Sequence, residues 1–168
     1  RASWPASRSD PHQGDDSSLY EGKGESGLCP LQTFSGDPVY KGAPEIDVQQ
    51  RLDRYWRPYH DKIAETLATL RERHGLALLW DAHSIASRVP RLFEGSLPAL
   101  NIGTFEDRSC APDRAGAVLD VAMESPYDAV ANARFKGGYI TRHYGNPGGR
   151  VHALQLELAQ RCYMDEKD

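Results

Sequence analysis

The clearest prospect of chemistry in this sequence lies where an apolar run gives way to polar side chains. Leu76, Ala77, Leu78, Leu79 and Trp80 are followed directly by Asp81, His83 and Ser84. A neutral imidazole on a rigid strand end is a good ligand for a divalent metal, and a carboxylate such as Asp81 can orient the ring or hold its tautomer. The plainer alternative is a histidine that caps the strand by hydrogen bonding. Far downstream, Glu157 sits near the end of a second strand-like stretch, where its carboxylate could deprotonate a water molecule or simply face solvent. Arg134, Lys136 and Arg142 gather around Gly137-Gly138, with Asn132 just ahead of them. An arginine fork suits a carboxylate bidentately and paired glycines permit a close approach or an unusual turn, although such a cluster can also be merely solvated. Metal ligand, base and cations are the three groups that a metal-dependent hydrolase of an acidic amide requires. Ser84 is a weaker candidate nucleophile, because no G-x-S-x-G elbow surrounds it.

Elements must then exist to carry these groups. The run from Leu76 to Trp80 follows Gly75 and is too short for a stable helix, so it reads as a central strand buried on both faces. In open α/β sheets, ligands bind at the carboxyl ends of such strands. Upstream, Ile46, Leu52, Tyr55, Trp56, Tyr59, Ile63, Leu67 and Leu70 recur mostly at three- and four-residue steps, the stripe of an amphipathic helix. Pro58 should kink or split it, giving pieces of about 45–57 and 59–74, and Gly75 should end the second. A helix feeding a buried strand is the later half of a βαβ unit, so an earlier strand is expected upstream. Residues 100–104 suggest a short strand, and Pro112 to Met123, with Ala115, Val118, Leu119 and Ala122 in helical spacing, a further helix. Tyr139 to Tyr144 alternates in a strand-like way, and Val151 to Leu158 reads as a half-buried strand that sends Glu157 to the same face as Gln155 and Ala153. Before all this, Ser35-Gly36-Asp37-Pro38 marks a turn between short extended pieces. Residues 1–26 show no apolar period and read as an irregular arm, leaving 27–168 as a single α/β domain.

Bulk properties exclude some partners. The chain has 168 residues, of which 39% are hydrophobic and 26% charged, enough for one domain with a real core. A net charge of -4 argues against nucleic acid or an anionic membrane surface, both of which demand a basic face. The three cysteines, Cys29, Cys110 and Cys162, have no C-x-x-C spacing and leave one over, so a disulfide framework is not indicated and a reducing, cytoplasmic setting is expected. No stretch has transmembrane length or the apolar core of a signal peptide.

Longer motifs go further than spacing. Gly27-Leu28-Cys29-Pro30, Tyr55-Trp56-Arg57-Pro58-Tyr59-His60, Asp81-Ala82-His83-Ser84-Ile85, Asn101-Ile102-Gly103-Thr104, the stretch from Arg134 to Gly145 (RFKGGYITRHYG) and His152-Ala153-Leu154-Gln155-Leu156-Glu157-Leu158 occur in this order. Together they closely resemble the N-formylglutamate amidohydrolases of bacterial histidine breakdown, from about Ser17 to Glu166. The resemblance implies an α/β fold with a mixed sheet flanked by helices, of the zinc-carboxypeptidase-like (phosphorylase/hydrolase-like) architecture, incomplete at the amino terminus. It also implies a zinc-dependent hydrolysis of N-formyl-L-glutamate to formate and L-glutamate, with His83 as a metal ligand and Glu157 as the base. Arg134, Arg142, Asn132, Lys136 and Arg8 would then bind the substrate, with Asp81 and Ser84 behind the metal ligand.

Departures from the family pattern shape the alternatives. The family has a longer amino-terminal part with further metal ligands, a histidine in a Pro-His-x-Gly element and an acidic residue soon after, and the chain is expected to start beyond it. Pro11-His12-Gln13-Gly14 repeats that element superficially, but stands too close to Ser18-Leu19-Tyr20, so His12 is read as a loop residue. The alternatives are a zinc amidase for another N-acyl amino acid, or a non-catalytic or truncated homologue that keeps only the acidic-ligand pocket. A small-molecule partner is expected throughout, and homo-oligomerisation is compatible with an incomplete sheet.

Overall fold

The structure is a computed structural model that describes residues 29–33, 35–42 and 45–166. The expected arm of residues 1–26 lies outside these. The chain divides into two compact units, one gathering Arg1–Thr66 and Val89–Glu94, the other Leu67–Arg88 and Gly95–Asp168.

In the first unit the expected turn is present. Gln32 and Pro38 form an antiparallel bridge, closed by Thr33 and Asp37, with Gly36 at φ 95°. Asp47 then caps α1 (Val48–Arg51) by accepting the Gln50 N–H at 2.8 Å. A π-helical turn, Leu52–Trp56, follows and leads straight into α2 (Arg57–His74), whose residues from Leu67 onward belong to the second unit. Pro58 was expected to kink or split the helix, and it does so only by way of the π turn just ahead of it. It has no N–H to donate and its ring would crowd the carbonyl one turn back, and both problems are relieved when the preceding turn widens so that Arg57 N–H bonds to Leu52 O.

The second unit is built on a mixed four-stranded sheet in the order β1-β4-β2-β3, flanked by helices. β1 (Ala77–Ile85) runs parallel to β4 (Val151–Ala159), β4 is antiparallel to β2 (Leu100–Gly103), and β2 is parallel to β3 (Ala129–Ala131). The short strand at 100–104 and the long one from Val151 thus form where the pattern put them. β3 was not anticipated: three residues carry no usable period. Between β2 and β3 runs α3 (Pro112–Glu124), with Pro112 at its first position, where a missing N–H costs nothing. Its Ala115 and Ala122 pack with Ile102, Cys110 and Leu154 in the core, and Leu100, Val118, Leu119, Ala129 and Leu156 surround them.

Three further expectations need correcting. Among the described strands β1 is an edge strand and not a central one, and it is not buried on both faces: Leu78 and Trp80 are 48% and 43% exposed. An apolar run records only a tendency to be buried, and here the residues flanking this strand cover it incompletely. β4, expected to be half-buried, is instead buried or nearly so throughout, with Leu154 packed into the core that α3 closes and β1 and β2 on either side of residues 155–158. Tyr139–Tyr144 is not a strand but a six-residue helix, α4. Its aromatic and β-branched residues alternate, yet they also fall at helical steps. Tyr139 stacks on His143 four residues on, with ring centroids 4.9 Å apart, while Thr141 and Tyr144, three apart, are both buried. Packing of that face outweighs the β propensity of the residues.

Candidate active site

Strand register brings the two main candidates together. His83 of β1 lies directly opposite Glu157 of β4, and Asp81 lies opposite Gln155. Side chains on neighbouring strands in register share a face, and positions two apart along a strand share it as well. Asp81, His83, Gln155 and Glu157 therefore form one polar patch near the carboxyl end of β1, although they come from segments far apart in sequence.

Within the patch each group is held by a specific partner. His83 Nε2 lies 2.8 Å from Asp81 Oδ1, so a proton on Nε2 leaves Nδ1 as the lone-pair nitrogen. The Asp81 hydrogen bond is the main cause that raises the His83 pKa above its ordinary value, with the charges of Asp81 and Glu157 adding to it against the cost of burial. Glu157 is only 7% exposed, and burial lifts its pKa above the usual carboxylate range. The His83 charge and a 3.0 Å hydrogen bond donated by Gln155 Nε2 to Glu157 Oε2 pull it back part of the way. A buried carboxylate biased toward holding a proton suits a group that takes one proton and returns it.

A glycine-bearing loop borders the patch. Gln155 Oε1 accepts the Gly138 N–H at 2.6 Å, and the Gly138 carbonyl accepts from both the backbone N–H and the Nε of Arg142, the latter at 3.2 Å. Gly137 stands at φ 113°, and a Cβ on Gly103 of β2 would lie 2.5 Å from Gly137 N, so the loop can pass over the sheet only where neither residue has a side chain. Beside it, Phe105, Glu106 and Asp107 all have positive φ, an uncommon run for side-chain-bearing residues. The Arg108 guanidinium lies 3.6 Å from the centroid of the Phe105 ring, and that of Arg142 lies 5.9 Å from it.

The remaining candidates separate. Asn132 uses its side-chain oxygen to accept from Thr104 N and Glu106 N and its nitrogen to donate to Thr104 Oγ1, so it braces the strained turn. Lys136 is paired with Glu106 at 2.6 Å, and Arg134 is exposed at the start of the glycine loop. Ser84 points to the opposite face from His83, where its Oγ lies 2.7 Å from Tyr163 Oη. Arg8 and His12 lie outside the described residues. Gln155 was visible in the sequence only as a residue sharing a face with Glu157, and its reach to Gly138 depends on a fold that no local pattern encodes.

Donor chemistry can be tested against a metal. An imidazole whose far nitrogen is tied to a carboxylate is the arrangement that metal ligands commonly show. A catalytic zinc takes about three protein ligands, however, and among the described residues no group of three or more His, Cys, Asp or Glu side chains converges to hold an ion. The described residues thus offer one ligand with its orienting carboxylate and do not make a complete site.

Comparison with known proteins identifies the family. The model of the N-formylglutamate amidohydrolase family matches residues 2–164. The chain belongs to the N-formylglutamate amidohydrolase family. It is 49% identical over 158 residues to the N-formylglutamate deformylase of Pseudomonas putida, and 51% identical over 157 residues to that of Pseudomonas aeruginosa. These matches cover 92% and 91% of this chain and 59% of each relative, so the chain spans about three-fifths of their length. The crystal structure of the N-formylglutamate amidohydrolase from Ralstonia eutropha JMP134 superposes with a TM-score of 0.72 at 25% identity, covering 83% of this chain and 52% of that one. Among the described residues no helix is long and apolar enough to cross a membrane.

Proposed function

We propose that this site hydrolyses the formyl amide of N-formyl-L-glutamate, giving formate and L-glutamate. The observation that carries the reading is the buried Glu157 carboxylate set in register against the Asp81-bound imidazole of His83, in a family whose curated relatives bear the deformylase name. In this scheme Glu157 takes a proton from the attacking water as its oxygen adds to the formyl carbon. It then delivers that proton to the amide nitrogen as the C–N bond breaks, so one group serves as base and then as acid. Its raised pKa strengthens it as the base that takes the proton. Arg142, fixed by the Gly138 carbonyl, and Arg134 would clamp the two carboxylates of the substrate, with Lys136 and Arg8 adding positive charge and Asn132 holding the adjoining turn.

His83 is proposed as one ligand of a divalent metal, zinc by the family resemblance, with Asp81 orienting its ring. Among the described residues no further ligands converge on His83. A second reading is a homologue that binds an acidic ligand without turning it over. The resemblance would place the reaction in histidine breakdown in the bacterial cytoplasm, and a related N-acyl amino acid is the alternative substrate. The test is formate release by the purified chain from N-formyl-L-glutamate, with zinc added or chelated, beside Glu157→Gln. Release that disappears in the variant supports the deformylase reading. Binding of N-formyl-L-glutamate without release supports the second reading, and release unchanged in the variant removes Glu157 from the mechanism.

A further inference from the structure

Gln155 has both ends of its amide committed. Its Nε2 donates to Glu157 Oε2 at 3.0 Å and its Oε1 accepts from Gly138 N at 2.6 Å, while the residue itself is 7% exposed. These two bonds fix the orientation of the amide, because a backbone N–H can only donate and a carboxylate can only accept. Reversing the amide would set donor against donor at one end and acceptor against acceptor at the other. Gly138 in turn places Arg142, whose backbone N–H and Nε both reach the Gly138 carbonyl. A single side chain therefore links the candidate base to the backbone unit that holds the candidate anion clamp.

We propose that Gln155 is a positioning residue that sets the Glu157 carboxylate and the Gly138–Arg142 segment at a fixed distance from one another, so that proton transfer and carboxylate binding are aligned by one amide. The proposal rests on the reading of Glu157 as base. Its physical sense is that the Glu157 carboxylate accepts no side-chain hydrogen bond other than that from Gln155 among the described residues, so the amide ties it to a segment already fixed by the Arg142 bonds to the Gly138 carbonyl.

Two substitutions separate the two ends. Gln155→Glu is nearly isosteric and keeps an acceptor for Gly138 N–H, but turns a second acceptor toward Glu157. Gln155→Leu removes both bonds. Amide hydrogen exchange followed by NMR reads the Gly138 end directly. Exchange at Gly138 should be about tenfold faster or more in Gln155→Leu, the equivalent of one net hydrogen bond, and near wild type in Gln155→Glu. Steady-state formate release reads the other end. Gln155→Glu should lose about a hundredfold in kcat with KM for N-formyl-L-glutamate little changed, the cost of a base displaced by a fraction of its working distance, whereas Gln155→Leu should lose kcat and raise KM together. A third arm does not need turnover: the side-chain amide protons of Gln155 should be protected in the wild type and lose that protection in Glu157→Leu. A Gly138 exchange rate unchanged in Gln155→Leu, or wild-type kcat in Gln155→Glu, overturns the proposal. An inert wild-type chain removes the deformylase reading, while the two exchange arms still uphold or refute the link itself.

Discussion

β1 and β4 lie side by side for nine residues each, from Ala77 opposite Val151 to Ile85 opposite Ala159, and their fates are opposite to their compositions. β1 opens with Ala-Leu-Leu-Trp and leaves Leu78 and Trp80 nearly half exposed. β4 carries His152, Gln155 and Glu157 and buries all three. The polar groups persist there because each has a partner: Ala111 N–H for His152, Gly138 N–H and Glu157 for Gln155. Apolar content thus tells how much a strand could gain from burial, while what packs over its faces decides how much it receives.

The largest effect should come from the most enclosed charge. Glu157→Gln removes the base with almost no change in volume, and formate release should fall by about 10²–10⁴-fold, the usual share of general acid–base catalysis. Thermal unfolding of the same variant should show stability equal to or above wild type, because a buried carboxylate with a raised pKa is costly to keep ionised. Loss of activity together with loss of stability would mean that Glu157 is a structural member of β4.

Next in size is a contrast between two leucines on the same face of the sheet. Leu154 is fully buried within the core, and Leu78 is 48% exposed on the neighbouring strand. Leu154→Ala should destabilise by about 2–5 kcal/mol through lost burial and the cavity left behind. Leu78→Ala should cost no more than about 1 kcal/mol, as for most exposed positions. Chemical denaturation of both checks this, and equal losses would show β1 to be covered in solution.

The same contrast explains what could be read from the sequence. The positions of β2, β4, α3 and the pairing of Glu157 with Gln155 on one face followed from periods of two and 3.6, which survive any tertiary arrangement. The meeting of His83 and Glu157 needed the register of a parallel pair joined by 65 intervening positions and more, and the family motifs, not periodicity, made it expected. β1 as a central strand and α4 as a strand were misread, and the kink or split expected at Pro58 became a widened turn, for one reason. Each was settled by what packs or pairs against the segment: an open edge at Leu78 and Trp80, a helical face built by Thr141 and Tyr144, a widened turn ahead of Pro58. Asn132 and Lys136 carry the right chemistry for an anion, yet their bonds to Thr104 and Glu106 could not be seen in a linear reading.

A smaller effect is expected at Arg142, whose guanidinium would meet the substrate while its Nε stays on the Gly138 carbonyl. Arg142→Gln should raise KM for N-formyl-L-glutamate by about tenfold to a hundredfold, the value of a hydrogen bond to a charged group at about 1.5–3 kcal/mol, and should scarcely alter hydrolysis of an N-formyl amine that lacks carboxylates. An equal loss on both substrates would place Arg142 with the structural bonds of α4.

The smallest expected effect is a pH dependence of stability arising from the buried imidazole of β4. His152 Nδ1 accepts the N–H of Ala111, the residue that caps α3, at 3.2 Å, so the folded protein needs this ring neutral with its proton on Nε2. Burial, with the Arg114 charge adding to it, lowers the His152 pKa from its ordinary value of 6.5. The sign follows from proton counting. Below pH 6.5 the unfolded chain binds a proton at this histidine before the folded chain does, so stability falls as the pH drops through that value and levels off once the folded ring is protonated too. Above it, both states are neutral and the contribution is flat. Glu157 and His83 titrate with raised values and so enter the total curve with other slopes, which makes the difference between variants the proper measurement. His152→Gln keeps an acceptor for Ala111 N–H but has nothing to protonate. Denaturant midpoints across this range should show wild type losing ground to His152→Gln as the pH falls, and parallel curves would mean that water or a shifted Ala111 lets the charged ring stay where it is.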